Sequence, residues 1–435
     1  MSKSTEELKK QVRHASPWRK PWPYLVIIIV LALIVVAALQ VPAVNARART
    51  LYSKIYYRLN PPTENTFGPS QQGTISADVL ATLTAMAPAA TLEPTPTDSQ
   101  LAIVETEMPT STPIPVPASF ALDGMGLEYQ TMNNCGPANL SMNVTYWGWV
   151  TNQHITEEAL KTHKDDRNVM LQEMLDYVEA NTELKGQLRY GGDMVIVKRL
   201  LSGGFPVLLE RGHTDEEDGW MGHYSIVTAY DDSTQTVQIP DTLLGMMRMT
   251  YAELERDWWH FDGIYLVVYP AESEQEVLRL LGTDADPAQN LQNTLAKLEA
   301  RIQQVSGQDL FFALYSKGSV LVEMGDYLAA AEVYDQAFAT YNQLDFGLRP
   351  WRITWYQVGP YLAYYYSGRY QDAFNLAEQT IANTSFPSLP ETWYWGGQSA
   401  LMLQDKDTAA RYFRKALEFY PGWNLAAQGL AQAES

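Results

Sequence analysis

The stretch Tyr129–Trp149, YQTMNNCGPANLSMNVTYWGW, contains the only cysteine of the 435-residue chain and decides the fold around it. Two asparagines followed by Cys-Gly-Pro predict a turn that leads into a helix, and Pro137 suits the first helical turn. Cys135 is therefore expected at a helix N-terminus, where free backbone N–H groups favour a thiolate and lower its pKa. The apolar positions with helical spacing that support this helix are Leu140, Val144 and Trp147.

An isolated cysteine has two interpretations. Free cysteines are among the most buried residue types and most often act as small structural hydrophobes. A thiol at a helix N-terminus beside a base is instead suited to nucleophilic catalysis. A single cysteine excludes an internal disulfide and a Cys-based zinc site. Because the Cys-Gly-Pro turn does not decide between these interpretations, the choice depends on partner residues elsewhere in the chain.

His223 is the histidine whose setting differs from the other five. It begins the apolar run HYSIVTAYDD, which predicts a strand with the histidine at its head and a turn after it. A second predicted strand, TVQIPDTL, carries Asp241 at its end, 18 residues beyond His223. Two adjacent antiparallel strands would present both side chains on one face, and the carboxylate would fix the imidazole tautomer.

Gln-x4-Cys-Gly-Pro-Ala at a helix start, a Gly-His-Tyr strand and a later Asp together resemble a known family. They are similar to the bacteriocin-processing, double-glycine type of papain-like cysteine peptidases, and more closely to its stand-alone, membrane-anchored bacterial relatives. The resemblance implies an α+β papain-like domain over residues 120–270. It also implies four site residues: Cys135 as nucleophile, His223 as general base and acid, Asp241 as orienting residue and Gln130 as oxyanion-hole side chain.

The sequence departs from this family in two places. Gln130 lies five residues before the cysteine, whereas the papain pattern places the glutamine six before. The best-known family members are fused to an exporter with six membrane spans and an ATPase, but this chain has no G-x-x-x-x-G-K-[ST] loop. The chain is therefore not expected to be that exporter.

Residues 272–435 follow a helical pattern with an internal repeat. Three units, in about residues 310–423, resemble tetratricopeptide repeats, which have a period of about 34 residues. The resemblance implies an all-α repeat domain that binds a peptide or protein partner, although most of its aromatics are expected in the core. The matching positions are Gly318, Gly325, Tyr327, Ala330, Tyr334, Ala337, Gly368, Tyr370, Ala373, Trp393, Gly397, Ala409, Phe413, Ala416 and Pro421.

The N-terminal part of the chain predicts a membrane anchor and a stalk. Residues 24–41 form an uncharged apolar run that predicts a single transmembrane helix, and residues 1–23 form a basic, cytoplasmic segment. A cleavable signal peptide is the alternative. Residues 42–119 are expected to be a Pro/Thr-rich stalk, in which Phe67 is the only aromatic beyond residue 60. The chain is thus expected in the cell membrane, with its C-terminal domains outside the cytoplasm.

Composition excludes some classes of function. The chain has 31 Lys and Arg against 50 Asp and Glu, a formal net charge of −19, so nucleic-acid binding is not expected. No metal cluster or phosphate loop is visible in the sequence, and no cofactor is expected. The expected partners are a peptide or protein substrate, a protein at the repeats and the membrane.

Three functions are compatible with these observations. The first is a membrane-anchored extracytoplasmic cysteine peptidase that uses Cys135, His223 and Asp241, with repeats that recruit a partner. The second is a catalytically inactive papain-like module that only binds peptides on a repeat scaffold. The third is an amidase or transferase that uses the same triad on a different acyl group, because a fold does not fix the substrate.

Overall fold

The structure is a computed structural model that describes residues 22–39, 42–62, 65, 67–69, 116–215 and 218–435. The chain divides into two compact units, residues 1–60 and residues 61–435. Helices α1 (Trp22–Leu39) and α2 (Pro42–Leu59) belong to the first unit. The second unit contains all the described strands and helices from residue 119 onward.

The prediction of a transmembrane helix over residues 24–41 is wrong. Among the described residues, none of the helices combines the length and the apolar content that a membrane crossing needs.

The predicted stalk over residues 42–119 includes one helix and one short packed segment. Helix α2 occupies residues 42–59, and Phe67 is buried. Residues 70–115, which hold most of the predicted stalk, and residues 1–21, which hold most of the predicted basic segment, lie outside the described residues.

The region after residue 116 is built on two four-stranded sheets in which every paired strand is antiparallel. One sheet has the order β1-β5-β6-β7 and the other has the order β2-β8-β3-β4. The strands are β1 (Ser119–Ala121), β2 (Leu184–Arg189), β3 (Val207–Asp215), β4 (Gly219–Val227), β5 (Ala229–Asp231), β6 (Thr236–Asp241), β7 (Gly245–Thr250) and β8 (Tyr265–Pro270).

Helices cover both faces of the β2-β8-β3-β4 sheet, because alternate residues of its strands are apolar on each side. One face packs in an apolar cluster with α3, α4 and α5, and the other packs with α6, α7, α8 and the second sheet. These helices are α3 (Cys135–Tyr146), α4 (Gln153–Leu160), α5 (Leu171–Asn181), α6 (Met194–Ser202), α7 (Tyr251–Trp258) and α8 (Glu274–Leu281).

Strand β4 connects the two sheets. It lies at the edge of one sheet, and after Thr228 the chain continues as β5 of the other. It begins at Gly219, four residues before the predicted start at His223, because its hairpin with β3 stays in register from Val207 opposite Val227 to Asp215 opposite Gly219. His223 therefore lies within the strand, close to the second sheet.

The C-terminal region is an array of helices. Helix pairs α10/α11, α13/α14 and α15/α16 correspond to the three predicted repeats, and small residues in the first helix of a pair admit aromatic rings from the second. A Cβ at Gly318 would lie 2.7 Å from the Tyr334 ring, and one at Gly397 would lie 3.0 Å from Phe413. The helices are α9 (Pro287–Ile302), α10 (Gly307–Glu323), α11 (Tyr327–Gln343), α12 (Ile353–Tyr356), α13 (Gly359–Tyr366), α14 (Tyr370–Ala382), α15 (Pro390–Met402), α16 (Lys406–Phe419) and α17 (Asn424–Glu434).

The repeats pack directly on the two-sheet region. The His260 ring stacks on Phe312 of α10, with ring centroids 3.7 Å apart. Gln357 Nε2 donates a hydrogen bond to the carbonyl oxygen of His260 at 2.8 Å, and Arg352 Nη1 donates to that of Trp220 at 3.0 Å. Buried aromatic contact and backbone hydrogen bonds therefore fix the first repeats to the strand that carries His223.

Candidate active site

Helix α3 begins at Cys135, and the surrounding contacts tie this end of the helix to strand β4. The buried Asn139 donates one hydrogen bond to the carbonyl oxygen of Cys135 at 2.9 Å and another to that of Tyr224 at 3.1 Å. Gly136 keeps the helix close to its neighbours, because a Cβ there would lie 2.7 Å from the Met174 side chain. The first turn of α3 is therefore held beside His223.

His223 lies between a thiol and a carboxylate. Its Nε2 is 2.9 Å from Asp241 Oδ2, and its imidazole interacts with the Cys135 thiol through a hydrogen bond and through its charge. Since Nε2 is engaged by Asp241, Nδ1 is the nitrogen left to serve the sulfur. The three side chains therefore form a linear array in the order that acyl transfer by a thiol requires.

Asp241 is fully buried, and four groups satisfy its carboxylate. Oδ1 accepts the backbone N–H groups of Leu243 and Leu244, both at 2.9 Å. Oδ2 faces His223 and also accepts a hydrogen bond from Arg211 Nη2 at 3.1 Å. A buried carboxylate with this many donors stays ionised, because each hydrogen bond stabilises the charged form.

Arg211 is the part of this array that the sequence did not reveal. It lies directly opposite His223 in the β3–β4 hairpin, is only 2 % exposed, and its Nε donates to Ser225 Oγ at 2.9 Å. Two adjacent charged residues, Glu210 and Arg211, directly follow the apolar run Val207–Leu209, and that change is the feature that could have identified it. Its contact with Asp241 depends on how the two sheets meet.

The titration of the three groups follows from these contacts. Burial raises the pKa of the Cys135 thiol, but the hydrogen bond and charge of His223 and backbone N–H groups outweigh it and lower the pKa overall. Burial lowers the pKa of His223, but Asp241 and Cys135 raise it to about 9. Burial raises the pKa of Asp241, and His223 and two backbone N–H groups bring it well below its usual value. The pair therefore favours thiolate and imidazolium.

Gln130 lies in the same cleft as Cys135 and His223. Its backbone N–H donates to the carbonyl oxygen of Thr242 at 2.8 Å, and the Thr242 hydroxyl donates to Gln130 Oε1 at 2.7 Å. Because the side-chain oxygen is engaged by Thr242, the amide N–H2 group is the end that is left to donate. Thr242, which the sequence did not identify, therefore orients Gln130.

The segment between the first and second repeats forms part of the cleft wall. Tyr356, the last residue of α12, lines the cleft together with Cys135 and His223. Asn168 Nδ2 donates to the carbonyl oxygen of Tyr356 at 3.0 Å, and a Cβ at Gly222 would lie 3.0 Å from its ring. The space beside the thiol is therefore shaped by the two-sheet region and the helical region together.

A second carboxyl group near the thiol, Glu210, has a raised pKa. The Tyr224 hydroxyl is 2.6 Å from the carbonyl oxygen of Val169 and 2.9 Å from Glu210 Oε2, but it has only one hydrogen to donate. Both contacts are satisfied if Glu210 is protonated and donates to Tyr224. Burial agrees with this, because it raises the pKa of Glu210 well above its ordinary value. A neutral Glu210 does not oppose ionisation of Cys135.

The structure thus brings together all four side chains that the sequence singled out: Cys135, His223 and Asp241 in one array, and Gln130 in the same cleft. Their catalytic roles stay predictions. Among the residues that the structure describes, no group of three or more His, Cys, Asp or Glu side chains could hold a metal ion.

Two regions of the chain match models of known protein families. Residues 116–265 match the model described as "Peptidase_C39 like family", and residues 362–422 match the model described as "Tetratricopeptide repeat". No curated protein matches the chain significantly. The chain therefore carries a Peptidase_C39-like domain followed by a tetratricopeptide-repeat region.

Three solved structures are similar to parts of the chain. The first is described as a "putative C39-like peptidase from Bacillus anthracis", with 14% identity, a TM-score of 0.29, and coverage of 35% of this chain and 97% of that one. The second is "a double glycine motif protease from AMS/PCAT transporter in complex with the leader peptide", with 19% identity, a TM-score of 0.27, and coverage of 35% and 95%. The third is "MamA 41-end from Desulfovibrio magneticus RS-1", with 18% identity, a TM-score of 0.28, and coverage of 38% and 83%.

Proposed function

We propose that the chain is a cysteine peptidase that hydrolyses peptide bonds in the cleft lined by Cys135. The observation that carries the proposal is the position of His223, whose imidazole contacts the Cys135 thiol on one side and the Asp241 carboxylate on the other. A structural cysteine needs no buried ion pair at its side, whereas a nucleophilic thiolate needs a cation and a proton carrier.

The mechanism is a two-step acyl transfer. The Cys135 thiolate attacks the carbonyl carbon of the scissile peptide bond, and the oxyanion accepts hydrogen bonds from the Gln130 amide and the Cys135 backbone N–H. The His223 imidazolium then gives its proton to the leaving amine as the C–N bond breaks, which leaves a thioester on Cys135. Neutral His223 next takes a proton from water, the resulting hydroxide attacks the thioester, and the acid product leaves as the thiolate reforms.

Gln130→Ala is expected to lower kcat by a factor of about 10²–10³, because it removes one oxyanion donor and leaves the nucleophile and base in place. Thr242→Val is expected to lower kcat by a smaller factor, because it removes the hydroxyl that orients the Gln130 amide but keeps the amide itself. Initial rates with one cleaved peptide check both variants. Equal rates for Gln130→Ala and the unaltered chain would remove Gln130 from the mechanism.

The pH profile of kcat/KM is expected to have a broad maximum around neutral pH. On the acid side the rate rises as the thiol loses its proton, at a pH below the ordinary range for cysteine because His223 lowers the pKa of Cys135. On the alkaline side the rate falls near pH 9, where His223 loses its proton. Because Cys135 and His223 interact, the acid and alkaline limits of the pH profile each report titration of the coupled pair and not of one residue alone. A rate that keeps rising above pH 9 would contradict the ion pair.

The experiment that tests the function is incubation of the full chain with a mixture of short peptides, followed by mass spectrometry of the products. Cys135→Ala serves as the matched control, because it removes only the sulfur. New peptide termini that appear with the unaltered chain and not with Cys135→Ala support the peptidase. Binding of peptides without cleavage would favour the binding-only module, and release of ammonia from amide substrates would favour an amidase.

We further propose that the repeats recruit a protein or peptide partner to this cleft. The support for the proposal is the position of Tyr356, which follows the first repeat in the chain and contributes to the wall beside Cys135. An extracytoplasmic location stays a prediction, which fractionation of cells that produce the chain would test.

A further inference from the structure

A short segment from the region predicted as stalk lies on the repeats in a defined way. Asn342, at the end of α11, bonds both backbone groups of Phe67: Oδ1 accepts its N–H at 3.0 Å, and Nδ2 donates to its carbonyl oxygen at 3.0 Å. Gln379 of α14 does the same for Gly68, with Oε1 accepting at 3.0 Å and Nε2 donating at 3.1 Å. Asn342 and Gln379 together are called the amide clamp.

The amide clamp satisfies the backbone groups of Phe67 and Gly68 in place of a neighbouring strand. Each primary amide offers one acceptor and two donors, so it pairs with the N–H and the C=O of one residue at once. Asn342 and Gln379 lie in the second helices of two successive repeats, so the repeat spacing sets the spacing of the two contacts. This is how a helical array would hold a peptide through its main chain.

Side-chain contacts bury the ring of Phe67 against the repeats. Phe67 is 2 % exposed, and its ring centroid lies 5.5 Å from that of Phe338 and 5.6 Å from that of Tyr341. The ring therefore fills an aromatic pocket formed by α11. Removing the ring would leave that pocket open to water and lose most of the apolar contact between segment and repeats.

Glycine at the next position is required for two reasons. Gly68 has a φ of +115°, a conformation that side-chain-bearing residues rarely adopt. A Cβ at this position would also lie 2.5 Å from the Cβ of Phe338, which is closer than non-bonded carbons approach. Asn65 makes two further contacts with the helical region. Its Nδ2 donates a hydrogen bond to Asn383 Oδ1 at 2.9 Å, and its carbonyl oxygen accepts one from Arg349 at 3.3 Å.

We propose that this surface of the repeats is a binding site for a peptide with the sequence Asn-x-Phe-Gly. The chain's own segment Asn65–Gly68 occupies this site as an intramolecular (cis) ligand. It can leave the site while the rest of the fold stays intact. The proposal does not depend on peptidase activity. A cis ligand has an effective concentration in the millimolar range, so it masks the site from peptides added at lower concentration.

The test uses the full chain and a fluorescent peptide with the sequence of residues 60–70, NPPTENTFGPS. Phe67→Ala in the chain removes the anchor of the cis segment and empties the pocket. Fluorescence anisotropy is expected to show at least tenfold tighter binding of the peptide to Phe67→Ala than to the unaltered chain. A peptide with alanine in place of its glycine is expected to bind at least tenfold more weakly than the original.

Variants of the clamp locate the binding. In the Phe67→Ala background, Asn342→Ala and Gln379→Ala are each expected to weaken peptide binding at least tenfold, because each removes two backbone hydrogen bonds. Gln371→Ala is the matched control. It lies on α14 like Gln379, is exposed, and bonds Asn375 within its own helix, so binding should not change. Equal loss in this control would overturn the assignment of the site.

Hydrogen exchange of the unaltered chain provides a test that needs no variant. If the segment is a separable ligand, the Phe67 and Gly68 amides exchange at least tenfold faster than buried amides in the middle of α11. Exchange of all these amides at one common rate would show that the segment opens only with the whole fold, and would overturn the proposal. A native Phe67→Ala chain that binds no peptide would overturn it as well, and so would a dimer whose segments are exchanged between two copies.

Discussion

Replacing His223 with alanine is expected to lower the rate of peptide cleavage by roughly 10⁴-fold or more, the scale on which removal of a catalytic base acts in hydrolases of this kind. The imidazole both stabilises the Cys135 thiolate and carries the proton to the leaving amine, so its loss removes two functions at once. The cleavage rate of one peptide by the unaltered and altered chains is the measurement.

The same variant has a second readout that needs no substrate. Because Cys135 is the only cysteine, iodoacetamide labelling followed by mass spectrometry reports on that thiol alone. At pH 6 an unassisted thiol is almost entirely protonated, so His223→Ala is expected to slow labelling by about tenfold or more.

The matched control for His223→Ala is His154→Ala. His154 is exposed and lies 3.5 Å from Glu157 of its own helix, so its removal should leave cleavage and labelling unchanged. Labelling at pH 6 that is equally fast with and without His223 would mean that the imidazole does not activate the thiol. The binding-only alternative would then be favoured.

The architecture of the two C-terminal regions could be predicted because its determinants are local. The Cys-Gly-Pro turn, the Gly-His-Tyr strand and the repeated small and aromatic residues each lie within short stretches of sequence. The matches to a C39-like peptidase model and to a tetratricopeptide-repeat model confirm this part of the prediction. The transmembrane prediction rested on an apolar run alone, and it is wrong.

The composition of the cleft could be predicted only in part. The sequence pointed to Cys135, His223 and Asp241 because each lies at a recognisable helix start or strand. Arg211 contacts Asp241 and Thr242 contacts Gln130, whereas Tyr356 lines the cleft through the packing of the helical region. The sequence marks Arg211 only as a charge that follows an apolar run, and it marks none of the three contacts.

The segment around Phe67 is another part of the chain whose contacts the sequence alone did not predict. Its proline- and threonine-rich surroundings predict a chain without a core of its own, and Phe67 was notable only as the single aromatic of that region. The ring is nevertheless buried, because its partners come from the repeats more than 250 residues further along the chain. An isolated aromatic in a polar stretch is therefore better interpreted as a candidate for docking on another domain.

The second large effect is expected from Arg211→Met, which should lower the free energy of unfolding by about 3 kcal/mol, at the lower end of what removing one partner of a buried ion pair costs. The methionine keeps the volume but leaves the Asp241 carboxylate without its guanidinium. His223 and two backbone N–H groups remain to satisfy that carboxylate, which is why the cost stays at the lower end. Urea unfolding followed by tryptophan fluorescence is the measurement.

Arg279→Met is the control for this effect, because Arg279 is exposed and pairs with Glu276 on its own helix, where an ion pair contributes less than about 1 kcal/mol. Arg211 also lies near His223, and removing its positive charge favours the imidazolium. The alkaline limit of cleavage should therefore move above pH 9 in Arg211→Met, a shift that a purely structural role would not cause. Equal destabilisation by the two methionine variants, with an unmoved alkaline limit, would mean that Arg211 neither supports Asp241 nor acts on His223.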